Sequence, residues 1–327
     1  MYDHYIAIDW AQANMAIGRV SQKSERPKIT ESKSDLEELK MYLKQLRGRK
    51  ILTLEETTTA QWLYTELRPY VDELVVCDPY RNRLLCEGAK TDRIDAAKLV
   101  LLLRANLIKP VFHSNDRFIK MRKLVSAYED LVQRGVRIKN QKSGVLRAAG
   151  KDKDSSDYEE DTFILERIDE AITCYESDKK LYEKEFERIS KREIQIRRLR
   201  EVPGIGLIGA LKIAAIVVDA SRFKHRNNFL SYCGLVRLEK MSGGRSYGSR
   251  LPRYSRRLKA VYKTAALSAI SHDNCFREEY LKLIKELNYS EDKARHAIAR
   301  RIATATYGMM KQKERFDQEK VRQRFNK

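Results

Sequence analysis

The first hundred residues alternate short apolar runs of strand type with amphipathic runs of helical period, and this alternation restricts the fold more than any other feature of the chain. Three closely spaced strands, predicted at Tyr5–Trp10, Asn14–Val20 and Lys28–Glu31, favour an antiparallel meander. A helix is expected next, because Ser34 and Glu37 have the spacing of a capping box before a stripe of leucines. The pattern therefore begins with three strands and one helix.

Strands and helices then alternate up to residue 105. The apolar and amphipathic runs predict, in chain order, strand Lys50–Glu55, helix Ala60–Leu67, strand Glu73–Cys77 and helical stretches at Arg81–Cys86 and Arg93–Ala105. Three strands followed by this alternation are the element order of an RNase H-like domain. We therefore expect an α/β, RNase H-like (RuvC-like) domain over residues 1–112.

The middle of the chain, residues 113–200, is strongly basic at its start and helical in pattern. A polar break at residues 154–157 precedes a long predicted helix, Tyr158–Arg200. Its apolar residues recur at roughly helical spacing, at Ile164, Ile168, Ile172, Tyr175, Leu181 and Phe186. The pattern favours a long helical hairpin or a coiled-coil arm that joins subunits.

A mainly α-helical domain is expected over residues 201–327. It opens with Val-Pro-Gly-Ile-Gly at residues 202–206, before a predicted apolar helix, Leu207–Val218. In a helix-hairpin-helix motif, a turn like that of Gly204 and Gly206 holds a phosphate on the backbone N–H groups of the helix N-terminus. A tight turn between two helices gives the same pattern.

The rest of this domain is predicted as helices around one long loop. The loop, Leu238–Pro252, is polar and rich in glycine and serine, a composition typical of a functional or disordered loop. Helices are expected on both sides of it, at Asn227–Leu235, Ser255–Ile270 and Ser290–Lys313, before a mixed-charge tail.

The charge balance favours a polyanionic partner. The chain carries 66 Lys and Arg against 46 Asp and Glu, a formal net charge of +20, and most of the excess lies beyond residue 100. The candidate nucleic-acid contacts are Arg134, Arg137, Lys139, Lys142 and Arg147 in the basic helical segment, with Arg245, Arg253, Arg256 and Arg257 further on. A solvated helix face would show the same run of charges.

Several protein classes do not fit this sequence. It has no run of about 18 apolar residues that could span a bilayer, and its N-terminus lacks the pattern of a signal peptide, so we expect a cytoplasmic protein without a membrane partner. Its five cysteines, an odd number without a Cys-x-x-Cys pair, indicate neither a disulfide framework nor a zinc site.

Four carboxylates occupy positions that an RNase H-like sheet would bring together. Asp9 ends the first strand, Glu55 ends the fourth, and Asp92 and Asp95 lie three residues apart where the last helix begins. Carboxylates that converge on a pair of sites are the ligands that two Mg²⁺ ions need for phosphoryl transfer. Helix N-capping would also explain Asp92 or Asp95.

With these residues in view, the chain resembles the DEDD transposases of insertion sequences, a family that includes Piv-type DNA invertases and bridge-RNA-guided recombinases. The motifs that carry the resemblance occur in the family's order: Ala-Ile-Asp-Trp-Ala at residues 7–11, Leu-Glu-Glu-Thr-Thr-Thr at 54–59, Lys-Thr-Asp-Arg-Ile-Asp-Ala at 90–96, Val-Pro-Gly-Ile-Gly at 202–206, and Cys-Gly-Leu at 233–235 followed by Met-Ser-Gly-Gly-Arg-Ser-Tyr-Gly at 241–248.

The resemblance implies an activity, a cofactor and partners. Asp9, Glu55, Asp92 and Asp95 correspond to the family's catalytic metal-binding carboxylates, and Ser242 corresponds to its catalytic serine, which attacks DNA to form a covalent phosphoserine link. The expected cofactor is a pair of Mg²⁺ ions. The expected partners are donor and target DNA, a structured bridge RNA that pairs with both, and further copies of the chain in a homodimer that assembles to a homotetramer.

Two other functions remain open at this point. In a RuvC-type junction-resolving nuclease, the four carboxylates alone would hydrolyse DNA with water, and no covalent adduct would form. A non-catalytic, nucleic-acid-binding descendant of such enzymes would keep the basic surface without the chemistry.

Overall fold

The computed structural model of the protein describes residues 1–24, 26–82, 91–114, 117–150 and 159–325, without the side chains of 324 and 325. The chain divides into two compact units, residues 1–115 and 116–327. A mixed α/β region therefore precedes a mostly helical one, as the sequence predicts. The boundary expected at residue 200, inside the second unit, stays a prediction.

The first unit is built on one six-stranded sheet. Its strands are β1 (His4–Trp10), β2 (Asn14–Ser21), β3 (Lys28–Lys33), β4 (Lys50–Glu55), β5 (Glu73–Cys77) and β6 (Pro110–Val111). The order across the sheet is β3-β2-β1-β4-β5-β6. The first three strands form the predicted antiparallel meander, and β1, β4 and β5 run parallel. This arrangement is consistent with the expected RNase H-like domain.

Helices cover both faces of the sheet, because alternate residues of each strand point to opposite sides. On one face, α1 (Leu36–Gln45) and α2 (Ala60–Leu67) bury leucines against the inward residues of β1, β2, β4 and β5. On the other face, α3 (Asp92–Arg104) packs Leu99 and Val100 against Ala7, Val20 and Cys77. The sheet is thus the central layer of three.

The start of α1 corrects one prediction. The N-cap of α1 is Asp35, whose Oδ1 accepts hydrogen bonds from the backbone N–H groups of Glu37 and Glu38, at 2.8 and 3.0 Å. Ser34 is not the cap, because its hydroxyl donates to the backbone oxygen of Ala11 instead. Aspartate and serine are comparable N-caps, so the neighbouring contact decides between them. The helix predicted at Arg81–Cys86 lies, from residue 83 on, outside the described residues.

A long helical hairpin opens the second unit, formed by α4 (Arg117–Ala148) and α5 (Glu159–Arg192). Its two helices pack through aromatic contacts such as Tyr128 against Phe186, with ring centroids 5.2 Å apart. Of the apolar residues predicted to face a partner helix, Ile168 and Phe186 are buried, whereas Leu181 is 64% exposed. The irregular apolar spacing therefore marks only part of the packed face.

The single helix predicted over Tyr158–Arg200 is in fact two helices. α5 ends at Arg192 and α6 covers Ile194–Arg200. Glu193 between them has an extended backbone, with φ −103° and ψ 102°, and its carboxylate forms an ion pair with Arg117 at 2.6 Å. No proline or glycine marks this break in the sequence, which is why helical periodicity missed it.

The remaining helices form a bundle around one apolar core. They are α7 (Leu207–Val217), α8 (Arg226–Tyr232), α9 (Arg256–Ile270), α10 (Cys275–Lys285), α11 (Glu291–Gln312) and α12 (Gln318–Phe325). Inside the bundle, the hydroxyl of buried Tyr262 hydrogen-bonds to the hydroxyl of Thr306 at 2.9 Å. The sequence reading missed α10, although Asn274 caps it by accepting from the backbone N–H groups of Phe276 and Arg277. No helix among the described residues is long and apolar enough to cross a membrane.

The segment predicted as a long loop, Leu238–Pro252, is mainly a β-hairpin. Its strands are β7 (Leu238–Ser242) and β8 (Arg245–Arg250), paired antiparallel. Gly243 and Gly244 form the two-residue turn, and both have positive φ, 55° and 76°. Hairpin turns of this kind need positive φ at both central residues, and Gly-Gly supplies it without strain. The sequence predicts a loop here because the flanking strands have no apolar alternation.

The turn between α6 and α7 requires glycine at one position and not at the other. Gly204 has φ +85°, and a Cβ there would lie 2.1 Å from the backbone oxygen of Ala265 in α9. Gly206, the N-cap of α7, has φ −78°, and no atom lies within 4 Å of where its Cβ would be. The close approach of α9 therefore depends on Gly204.

We predict that Gly204→Ala lowers the free energy of unfolding by about 2 kcal/mol or more, because a side chain at positive φ is strained and would also collide with the α9 backbone. Gly206→Ala is the matched control and should cost no more than about 1 kcal/mol, the difference between N-cap residues. Urea unfolding of the full chain, followed by circular dichroism, measures both values. Equal stability of the two variants would contradict the prediction.

Candidate active site and nucleic-acid interface

Two of the predicted carboxylates lie side by side at one edge of the sheet. β1 and β4 run parallel with Ile8 opposite Leu54, so the next residues along the two strands are Asp9 and Glu55. Ile8 and Leu54 are buried under α1 and α2. Because side chains alternate along a strand, Asp9 and Glu55 belong to the opposite face, which α3 covers.

The close packing of α3 brings the other two carboxylates to the same edge. Gly18 of β2 sits so near α3 that a Cβ there would lie 2.6 Å from the backbone oxygen of Ala96. Ala96 is in the second turn of α3, directly after Asp95. The N-cap of α3 is Thr91, whose hydroxyl accepts from the backbone N–H of Ile94 at 3.2 Å. Helix capping is therefore the role of Thr91 and not of Asp92 or Asp95.

Electrostatics show that three of the carboxylates, Asp9, Asp92 and Asp95, lie close together. The pKa of Asp9 is raised to about 6, first by burial and then by the negative charges of Asp92 and Asp95. One carboxylate oxygen of Asp95, Oδ1, is buried and accepts no hydrogen bond within the described residues. Glu55 lies beside Cys77 of β5, where burial chiefly, and then the charge of Glu55, raises the thiol pKa to about 12. That thiol is therefore unreactive at neutral pH.

We call the end of the sheet that carries Asp9, Glu55, Asp92 and Asp95 the acidic edge. Its carboxylate oxygens suit a divalent cation. Within the residues that the structure describes, no three His, Cys, Asp or Glu side chains are already arranged as a metal site. A bound cation would nevertheless offset the repulsion between Asp9 and its acidic neighbours. It would also give a partner to the Asp95 oxygen that accepts no hydrogen bond within the described residues. Hard oxygen ligands of this kind are those that Mg²⁺ prefers.

A partly buried polar network next to this edge is not predicted from the sequence. His113 hydrogen-bonds through Nε2 to the carboxylate of Glu56 and through Nδ1 to the side-chain oxygen of Gln61, the latter at 2.8 Å. The amide nitrogen of Gln61 donates to the backbone oxygen of Ser114 at 3.0 Å. The network fixes the segment that follows Glu55. The adjacent Glu56 is a signal in the sequence, but nothing there pairs it with His113.

Ser242 lies at the tip of the β7–β8 hairpin, where every strand residue is exposed. It is paired across the strands with Arg245, on the other side of the glycine turn. Its hydroxyl makes no hydrogen bond within the described residues, whereas the hydroxyl of Ser249 accepts from Nε of Arg237 at 2.8 Å. The hairpin therefore presents Ser242 openly to a large substrate.

The basic residues of α4 fall into two groups. Arg134 and Arg137 are exposed and have no ion-pair or hydrogen-bond partner in the part of the chain that the structure describes. Lys139 and Lys142 instead form ion pairs across the hairpin with Glu176 and Asp169, at 3.0 and 2.9 Å. Nε of Arg147 donates to the backbone oxygen of Ser143. Only part of the predicted basic surface is thus uncompensated.

The Gly204–Gly206 turn opens into a groove of about 940 Å³ at the N-terminus of α7. Arg256 and Lys184 line it, and both are exposed without an ion-pair partner among the described residues, whereas two other cations there are compensated by an acid. Arg257 and Lys212 both pair with Glu129, each at 2.9 Å, and Arg253 also has a partner. The groove combines open backbone N–H groups with mixed side-chain charge.

Comparisons with known proteins agree with this layout. Residues 196–281 match the family described as "Transposase IS116/IS110/IS902 family", and residues 6–150 match a second transposase family, of the DEDD type found in IS110. A 119-residue stretch is 29% identical to the "Insertion element IS116 uncharacterized 44.8 kDa protein" of Streptomyces clavuligerus, covering 36% of this chain and 30% of that protein. The two matched families cover both the acidic edge and the start of the helical bundle. The chain is therefore similar to insertion-sequence transposases over these two stretches, residues 6–150 and 196–281.

Proposed function

We propose that this protein is the transposase of an insertion sequence, a DNA recombinase that cleaves and exchanges DNA strands in the bacterial cytoplasm. The observation that carries the proposal is the convergence of Asp9, Asp92 and Asp95 at one sheet edge, inside the region that matches DEDD transposases. The first unit would be an RNase H-like catalytic domain. The α4–α5 hairpin would be the coiled-coil arm, and the α6–α7 turn a helix-hairpin-helix contact to DNA.

In the proposed mechanism, the carboxylates of the first unit hold the metal and the serine of the second unit attacks DNA. Asp9, Glu55, Asp92 and Asp95 would bind two Mg²⁺ ions. When bound, these ions would stabilise the charge that develops on the phosphate. The hydroxyl of Ser242 attacks the phosphorus of a phosphodiester, an Oγ–P bond forms, and the bond from phosphorus to one deoxyribose oxygen breaks. That oxygen takes up a proton as the serine hydroxyl releases one.

The proposed partners are donor and target DNA, a structured bridge RNA and further copies of this chain in dimers and tetramers. The net charge of +20 and the uncompensated Arg134 and Arg137 support contact with nucleic-acid backbones. Gly204, Gly206, Arg253, Arg256 and Arg257 would add contacts near α7. The proposals of a bridge RNA and of dimers and tetramers rest on the resemblance to bridge-RNA-guided recombinases, because neither the sheet nor the helical bundle provides an argument for them.

Asp9→Asn should raise the melting temperature of the metal-free protein, because it removes one of three mutually repelling carboxylates. The same change should abolish recombination and the stabilisation by Mg²⁺, which for the wild type is about 1.4 kcal/mol at ten times the dissociation constant. Asp35→Asn is the control, since asparagine also serves as an N-cap. Thermal unfolding with and without Mg²⁺ measures both effects. Equal Mg²⁺ stabilisation of the wild type and Asp9→Asn would remove Asp9 from the metal site.

Ser242→Ala should abolish a covalent protein–DNA adduct that the wild type forms, while DNA binding stays unchanged because no charge is lost. The adduct is visible as a slow band in a denaturing gel that disappears after protease treatment. Ser246→Ala is the matched control and should form the adduct normally. An adduct lost in Ser246→Ala and kept in Ser242→Ala would move the nucleophile. DNA cleavage without any adduct would favour a metal-dependent nuclease.

Replacing both Arg134 and Arg137 by alanine should weaken DNA binding more than replacing both Lys139 and Lys142. The charges of Lys139 and Lys142 are already compensated by acids of α5. Contact of these lysines with DNA should therefore release fewer counterions than contact of the arginines. The slope of log K against log salt should become shallower by about 2 for the arginine pair, and by less than about 1 for the lysine pair. Fluorescence anisotropy with a labelled duplex gives these slopes. Equal changes for the two pairs would refute the distinction.

A further inference from the structure

The β7–β8 hairpin is a two-stranded ribbon, and the hydrogen bonds at its base fix it among the described residues. Nε of Arg237 donates to the hydroxyl of Ser249, and the backbone N–H of Ser255 donates to the oxygen of Tyr232, both at 2.8 Å. Beyond the base, all residues of both strands are exposed. A two-stranded ribbon has no core of its own and is marginally stable alone. Its side chains are therefore available to a partner on both faces.

The two faces of the ribbon carry different charges. Cross-strand pairs share a face, and the pairs are Leu238 with Arg250, Glu239 with Ser249, Met241 with Ser246, and Ser242 with Arg245. Side chains alternate along β7, so Leu238 and Lys240 share the face of Ser242. The pairing shifts by one residue beside Lys240, and beyond the shift Arg250 lies opposite Leu238. One face therefore bears Ser242, Leu238 and the cations Lys240, Arg245 and Arg250. The other face bears Met241, Ser246 and Glu239, the only acid of the two strands. The face with Ser242 is thus basic.

Arg245 is the cation nearest to Ser242 in this arrangement. Directly opposed residues of an antiparallel pair have Cβ atoms about 4.5–5.5 Å apart, and the Gly243–Gly244 turn locks this pair in register. Neither the hydroxyl of Ser242 nor the guanidinium of Arg245 has a partner within the described residues. Ser246 belongs to the opposite face, and Ser249 is already bonded to Arg237.

We propose that Arg245 is a catalytic residue that binds the non-bridging oxygens of the same phosphodiester that Ser242 attacks. The inference rests on the proposed function, because it assumes that Ser242 is the nucleophile. A guanidinium donates two parallel hydrogen bonds to a phosphate. Bound in this way, it holds the phosphorus close to the hydroxyl across the ribbon and neutralises charge that grows as the Oγ–P bond forms.

The chemical step stays balanced with Arg245 in this role. Arg245 remains protonated throughout, since its guanidinium does not lose a proton in proteins. The Oγ–P bond replaces the bond from phosphorus to the leaving deoxyribose oxygen, the leaving oxygen takes up a proton, and the hydroxyl of Ser242 releases one. Arg250 lies opposite Leu238, four residues from Ser242 along β7. At about 3.3 Å per residue, this is too far for Arg250 to bind the reacting phosphate.

The first experiment compares two arginines on one face of the ribbon. A plasmid that carries the insertion sequence with its flanking DNA serves as substrate for the full-length protein with its RNA, and the rate of adduct formation is measured. Arg245→Ala should lower this rate about 100-fold, the usual cost of removing one donor to a developing charge, and Arg245→Lys about 10-fold. Arg250→Ala removes the same charge at the base of the ribbon and should change the rate less than threefold.

A second experiment separates contact with the phosphate from a structural role. The wild-type adduct identifies the cleaved phosphate, and oligonucleotide duplexes are made with a neutral methylphosphonate at that position. Without the negative charge, Arg245 has less to neutralise, so the 100-fold gap between wild type and Arg245→Ala should shrink to less than about 10-fold. An Arg that only stabilises the hairpin would leave the gap unchanged on both substrates.

The outcomes distinguish the two proposals. If the wild type forms no adduct, the proposed function fails and the role of Arg245 fails with it. If the wild type forms the adduct and Ser242→Ala does not, the inference about Arg245 is tested alone. It is overturned by an Arg245→Ala rate within threefold of wild type, by equal losses in Arg245→Ala and Arg250→Ala, or by a gap that persists on the methylphosphonate.

Discussion

The contact between α3 and the sheet is the constraint on which the acidic edge depends. A glycine at position 18 lets the α3 backbone at Ala96 approach more closely than any side chain would allow. This approach sets the first turn of α3, with Asp92 and Asp95, beside the end of β1. The result is electrostatically unfavourable in the free protein, because burial of Asp9, and then the negative charges of Asp92 and Asp95, raise the pKa of Asp9. Such a cost is typical of a site that binds a cation.

Local patterns in the sequence predicted most of the first unit, and contacts between distant residues account for what it missed. Apolar alternation located β1 to β5 within one or two residues, since each strand has a buried face. The strand ends placed Asp9 and Glu55 together before the register was known. The hydrogen bond between Glu56 and His113 joins distant parts of the chain, so periodicity carries no signal for it. The β7–β8 hairpin was not predicted, because neither of its faces is apolar and its strands therefore show no apolar alternation.

The net charge suggests a larger uncompensated basic surface than the packed structure has. Lys139, Lys142 and Arg257 are among the predicted nucleic-acid contacts, yet each faces a carboxylate on a neighbouring helix. These pairs connect helices of the second unit, and their charge is compensated before any nucleic acid arrives. Arg134, Arg137 and Arg245 are different, since they have no partner among the described residues. Specific contacts follow from such uncompensated charges, while the total mainly sets long-range attraction.

The proposed nucleophile and the proposed metal ligands lie in different units, and this separation would control when the reaction can occur. Ser242 belongs to the second unit and the acidic edge to the first. A serine hydroxyl alone is a weak nucleophile, and the ribbon that carries it provides no base: the only acid in its strands, Glu239, lies on the opposite face. The carboxylates, for their part, cannot form a phosphoserine link. Under the proposed mechanism, neither unit can form this link by itself, so the reaction requires that bound DNA bring a ribbon tip and an acidic edge to the same phosphate. Assembly on the correct DNA would then be the step that permits cleavage.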